Sequence, residues 1–139
     1  MKNGNTIDFF LAFIMIFVCC IFIFSESLIS QNVWEVPSEY VNLKNDKAGD
    51  KDRDGIGRSL YNTHCKACHG LKGDGKGSKL KGIEVEIRSF ADPAFLNQSD
   101  GEIYYKAFNG KGIMPNFDKK IVESEDRWLL VNFLRTFKK

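Results

Sequence analysis

An all-α domain of three to five short helices is the architecture this chain predicts, and three features predict it. Helix-initiating residues recur after residue 55: Asp92-Pro93, Ser99 with Glu102, and Ser124 ahead of an apolar stripe. Strand-like alternation is confined to Ile83, Val85 and Ile87, which reads as an extended loop over something apolar. The segment left to fold, residues 55–139, is so short that its own core supplies modest stability, and a cofactor, metal or disulfide is expected to complete it. Hydrophobic content of 43% and a mean hydropathy of -0.26 exclude a disordered chain and a multi-span membrane protein.

The first element in the chain is an export segment. Residues 9–24 are uninterruptedly apolar behind Lys2. As a helix the run spans roughly 24 Å, short of the roughly 30 Å of a hydrocarbon core, which favours a signal peptide over an anchor. Ser25 and Ser27 suit cleavage after residue 27, while an uncleaved, tilted helix reaching Ile29 would anchor the protein. Membrane association through residues 7–29 then follows. In both cases the domain is exported, either periplasmic or held on the outer face of the cytoplasmic membrane. Val18 and Phe17 precede Cys19 where lipidation needs a small residue, and four apolar residues follow Cys20, so both read as ordinary members of the run.

Residues 28–54 read as an extended leader, with Trp34-Glu35-Val36-Pro37 followed by a charged, sign-balanced run that suits a solvated linker. Asp50, Asp52, Asp54 and Gly55 match the first half of a calcium loop, but Tyr61 stands where a bidentate glutamate is needed. From residue 55 the helices follow in order. Asp54 is expected to cap one running towards Cys65. Asp92-Pro93 opens a short turn through Asn97. Ser99 and Glu102 box the next, which Asn109-Gly110 closes. Ser124 is expected to cap the last, where Leu130, Phe133, Leu134 and Phe137 form one core-facing stripe.

The chemistry sits in Cys65-Lys66-Ala67-Cys68-His69. Two thiols at this spacing on a helix can each add across a vinyl group of one porphyrin, and the adjacent histidine then lies beneath the iron. A zinc site counted from His64, Cys65, Cys68 and His69 would need adjacent ligands to chelate a tetrahedral ion. A thioredoxin-like pair lacks its strand-helix framework, and a plain disulfide leaves His69 unexplained. Gly73-Asp74-Gly75-Lys76-Gly77-Ser78 follows no buried strand and reads as a flexible loop, not a phosphate cradle. The sixth iron ligand follows by elimination. His64 is bound beside a tethered cysteine on the proximal side, and Met1 and Met15 lie in the export segment. Met114 remains, with Pro115 stiffening the loop that presents it.

Gly57-Arg58-Ser59-Leu60-Tyr61, the motif from Cys65 to Gly70, the Met114-Pro115-Asn116-Phe117 loop and Trp128 to Leu134 come in an order and spacing that resembles a class I c-type cytochrome, of the small exported bacterial monohaem kind. The resemblance covers residues 55–139. It implies a cytochrome c-like fold around one covalently attached haem c, with Cys65, Cys68, His69 and Met114 binding the cofactor and His69 and Met114 ligating iron. It also implies that Gly57 and Tyr61 pack on the C-terminal helix, with Leu130 and Phe133 as partners. Leu80 stands near where many relatives have a proline whose carbonyl holds the haem histidine, so a carbonyl of residues 79–82 is expected instead.

The expected function is one-electron transfer in a respiratory chain, without enzymatic activity, since no acid-base constellation accompanies the motif. The alternatives are a haem subunit of an oxidoreductase complex, or a ligand-binding haem enzyme or sensor with a labile distal site. Residues 55–139 carry fifteen basic and ten acidic groups, too mixed for a nucleic-acid domain. Lys66, Lys72, Lys76, Lys79 and Lys81 are expected to steer redox donors and acceptors with acidic faces.

Overall fold

The computed structural model describes residues 11, 13–17, 34–52 and 54–138. They divide into two compact units, Met1–Glu35 and Val36–Lys139. In the first, residues 11 and 13–17 are helical and exposed, while most of the apolar run and the expected cleavage point lie outside the described residues. Among the described residues no helix is long and apolar enough to cross a membrane.

The second unit is all-α. Its helices are α1 (Ser38–Val41), α2 (Ile56–Leu60), α3 (Lys66–His69), α4 (Pro93–Leu96), α5 (Asp100–Asn109) and α6 (Ser124–Arg135). A π-helical turn, Tyr61–Cys65, joins α2 to α3, so residues 56–69 run as one rod. Among the described residues the only β pairing is a single bridge between Lys111 and Met114.

The rod starts differently from expectation. Gly55 takes a left-handed turn at φ 69°, and the carboxylate that meets the free helix amides is that of Asp52, not Asp54. Asp52 accepts from the Gly57 and Arg58 N–H groups at 2.9 and 2.8 Å, because the turn at Gly55 swings the earlier residue under the helix end. Asp54 is exposed. Asp92 and the Ser99–Glu102 box cap α4 and α5 as read, with Asp92 accepting from the Ala94 N–H at 2.7 Å. The last helix starts one residue early: Glu123 is its cap position and Ser124 its first helical residue, without a side-chain cap bond.

α2 crosses α6 with no space between backbones. A β-carbon on Gly57 would lie 2.3 Å from the Leu129 carbonyl oxygen and 3.1 Å from the Phe133 β-carbon. The partners of the glycine are thus the Leu129 backbone and Phe133, while Leu130 turns into the core. Tyr61 is 1% exposed and meets Phe133 and Phe137 at centroid distances of 5.4 and 5.0 Å. The stripe on α6 faces the core as read, with Phe133 and Phe137 packed against the buried cluster. Leu130 and Leu134 are buried, Trp128 and Val131 are buried with them, Phe133 is half-buried, and Phe137 lies beyond the helix end.

Residues 36–52, though largely exposed, are tied to the helices by several bonds. The Asn45 amide donates to Asp100 and to Asn132, each at 2.8 Å, and Asn132 donates to the Lys47 carbonyl at 2.7 Å. Ser99 donates to the Val41 carbonyl at 3.0 Å, and the Tyr40 ring lies 4.8 Å from that of Tyr105. Residues 36–52 form a strap across α5 and α6 and fall within the compact unit Val36–Lys139. Its charges conceal this, because most of the bonds are made by asparagines and carbonyls between them, with Lys47 adding an ion pair to Glu125 at 2.9 Å.

Candidate functional site

One apolar cleft gathers the sequence-predicted residues: His64, Cys65, Cys68 and His69 line it together with Ile113, Met114, Pro115, Phe117 and Ile87. Ile83 and Val85, expected to cover an apolar group alongside Ile87, are 45% and 42% exposed.

The first wall, residues 64–69, owes its shape to the π turn. The Lys66 N–H bonds the Tyr61 carbonyl five residues back, which widens the helix where the thiols begin. Gly70 ends the rod at φ 83°. The glycine-rich stretch then folds back as an ordered cap: the Gly75 N–H donates to the His69 carbonyl at 2.9 Å and the Gly77 N–H to the Cys68 carbonyl at 3.0 Å. A β-carbon at Gly77 would sit 2.2 Å from the Ala67 carbonyl oxygen, so only glycine passes there. The stretch expected to be flexible is thus the terminal brace of the motif helix. Tyr61, held protonated above its ordinary range by burial, donates to the Gly70 carbonyl at 2.5 Å from the other side.

Cys65 and Cys68 are free thiols on this wall. Burial, reinforced by Cys68, pushes the Cys65 thiol up to about 12, unlike the depressed thiol of an exposed redox pair. His69 stacks on Phe90 at 4.7 Å with ring planes 20° apart, and burial pushes its imidazole below the usual range. Its Nδ1 is buried with no hydrogen-bond partner. The carbonyl expected from residues 79–82 does not reach it, because Ser78–Leu80 closes on itself as a 3₁₀ turn and Lys81 and Gly82 face solvent.

The second wall, residues 113–117, is a loop. Lys111 and Met114 exchange backbone bonds at 3.0 and 3.1 Å across Gly112, which sits at φ 61°. Behind it, Gly110 lies so close that a β-carbon would stand 2.5 Å from the carbonyl oxygens of Met114 and Pro115. Met114 is half-buried, and Phe117, 6% exposed, roots the loop by donating its N–H to the Phe108 carbonyl at 2.9 Å. His64 borders the cleft from the Cys65 side, tilted against Phe117 at 5.6 Å.

These residues fit a haem: two free thiols on one helical edge, an imidazole kept neutral by burial, a thioether facing the same space, and aliphatic walls. Among the described residues no three His, Cys, Asp or Glu side chains stand together as a set for a bare metal ion. Sequence reasoning missed Phe90, which backs His69, and Arg127 and Asn132, which fasten surrounding segments. Asn132 carried a signal in retrospect, as an amide between Val131 and Phe133 in an otherwise apolar run. Phe90 carried none.

A helical domain with a CxxCH rod packed through glycine on its C-terminal helix is a c-type cytochrome. A family profile described as cytochrome c oxidase, cbb3-type, subunit III matches residues 53–134, and the chain belongs to that family. With membership comes the cofactor, haem c in covalent attachment, and with it electron transfer as the general activity. Among solved structures the chain is similar to the KustC0563 c-type cytochrome, at 34% identity over 60% of this chain and 98% of that one, with a TM-score of 0.49. No curated protein matches.

Proposed function

We propose that the protein is an exported one-electron carrier of a respiratory chain, with its haem tethered by Cys65 and Cys68 and ligated by His69 and Met114. The observation that carries this reading is the cleft itself, where both thiols and His69 face Met114 from a separate part of the chain. Haem c supplies a one-electron couple at such a site. The residues do the rest. The thiols fix the orientation, His69 offers a neutral nitrogen braced by Phe90, and Met114 offers a soft sulfur that favours the reduced metal. Ile87, Ile113, Pro115 and Phe117 limit water, which raises the potential further.

Export rests on the apolar run, and the outer side of the membrane is the compartment proposed. Lys66, Lys72, Lys76, Lys79 and Lys81 are all exposed, which supports docking to acidic faces of donor and acceptor. Family membership favours a second reading, a haem subunit within an oxidase complex. Purification in mild detergent separates the two: a carrier comes away alone, whereas a subunit holds stoichiometric partners.

The ligand assignment is tested by Met114→Ala. The variant is expected to keep covalent haem, lose the weak far-red band of a ferric thioether bond, show a lower potential and bind carbon monoxide at once. A variant with the wild-type far-red band would remove Met114 from the iron.

A further inference from the structure

The Met114 loop leaves the cleft and returns to the domain through residues 115–123, and one side chain gathers its return. Arg127, half-buried on the first turn of α6, donates Nε to the Ile121 carbonyl and Nη2 to the Asp118 carbonyl, both at 2.6 Å. Its Nη1 donates to the Tyr104 hydroxyl at 3.1 Å, and the guanidinium lies 5.1 Å from the Phe108 ring centroid. Phe108 is the residue whose carbonyl receives the Phe117 N–H. One planar cation therefore holds both sides of the turn at residues 118–121, on the return from Met114, and rests on the residue that roots it.

We propose that Arg127 is a positioning residue for the sixth ligand, a clasp that holds the loop closed so that Met114 stays on the iron. The proposal rests on the ligation reading above. Its chemistry is that of the guanidinium fork. Charged donors make stronger hydrogen bonds than neutral ones, and only arginine presents several donors in one rigid plane. A thioether is a weak, neutral ligand, so its residence depends on how seldom the loop opens. Removing the fork leaves two backbone carbonyls without their charged donor and frees the turn that begins three residues after Met114.

A second arginine supplies the control. Arg135 makes the same kind of clasp away from the cleft, donating to the Leu96 carbonyl at 3.0 Å and the Gln98 carbonyl at 2.5 Å and pairing with Asp100 at 2.8 Å. Loss of either arginine is expected to lower general stability, but only Arg127 touches the Met114 segment.

The experiment compares holoprotein of wild type, Arg127→Gln, Arg127→Lys and Arg135→Gln, following the far-red band and the rate at which imidazole displaces the methionine. Arg127→Gln is expected to speed imidazole entry by roughly tenfold to a hundredfold, the scale of one charged hydrogen bond, and to weaken the band. Arg127→Lys, which keeps the charge without the fork and serves should the glutamine variant fail to fold, is expected to show the same direction. Arg135→Gln is expected to lower the melting temperature without changing imidazole entry. If the wild type shows the band and the Arg127 variants admit imidazole at its rate, or no faster than Arg135→Gln, the clasp is overturned alone. A wild type without the band overturns the ligation reading and the clasp together.

Discussion

The two walls of the cleft are built on different principles. The CxxCH wall is a continuous helix whose start is capped by Asp52, whose end is braced by Tyr61 and three glycines, and whose flank is locked against α6 at Gly57. The Met114 wall is a loop carried by one backbone bridge, the Phe117 root and a few side-chain bonds. The cysteines proposed for covalent attachment thus sit on a helix braced at both ends, and the proposed sixth ligand on a loop with fewer ties. On that proposal the tether belongs to the first wall and the exchangeable bond to the second.

Substitutions on the two walls are expected to separate these properties. The largest effect belongs to the paired change Cys65→Ser with Cys68→Ser. It should abolish covalent haem, so that a denaturing gel stained for haem shows nothing at the position of the chain, while Met114→Ala leaves the stain intact. Retained stain in the cysteine pair would break the contrast.

Gly57→Val comes next. Its side chain meets the Leu129 backbone, which cannot move aside as a flexible chain end would, and a stability loss of about 3 kcal/mol is expected in denaturant titrations. A substitution at Gly112, where the added β-carbon meets nothing but φ is positive, should cost less, about 1–2 kcal/mol. Equal losses at the two glycines would erase the distinction between a locked wall and an open loop.

Tyr61→Phe is the mildest of these changes. It removes the brace on the Gly70 carbonyl and is expected to cost about 1 kcal/mol. Because burial raises the folded phenol above the ordinary value of about 10, its contribution is present below that pH and fades as pH rises through and beyond it. Ultraviolet titration should show one late tyrosinate signal that appears only with alkaline unfolding and is absent in Tyr61→Phe. A tyrosinate at that position in the folded protein would contradict the brace.

What was legible in the sequence follows the same division. The CxxCH motif, the Ser99–Glu102 box and the Asp92-Pro93 start were read correctly because each is complete within a few residues. Gly57 against α6 was reached through family resemblance, and its partner shifted by one residue since a backbone carbonyl leaves no mark on composition. The Asp52 cap was misplaced because Gly55 reverses the chain between cap and helix. The strap of residues 36–52 was hidden for a different reason. Its bonds join Asn45 to residues 55 and 87 positions away, and a run of balanced charge reads as solvated when nothing local says otherwise. Arg127 left no mark in the sequence, because its three bonds are all made to groups outside its own helix.

The central claim, that Met114 completes a closed coordination shell for electron transfer, is tested most directly by the absorption spectrum of the wild-type holoprotein at neutral pH, with carbon monoxide added to the reduced form. The account predicts the weak far-red thioether band in the oxidised protein, and a reduced spectrum that carbon monoxide changes slowly or not at all. An oxidised protein without that band, whose reduced form binds carbon monoxide on mixing, would contradict it and make the haem a site for small ligands.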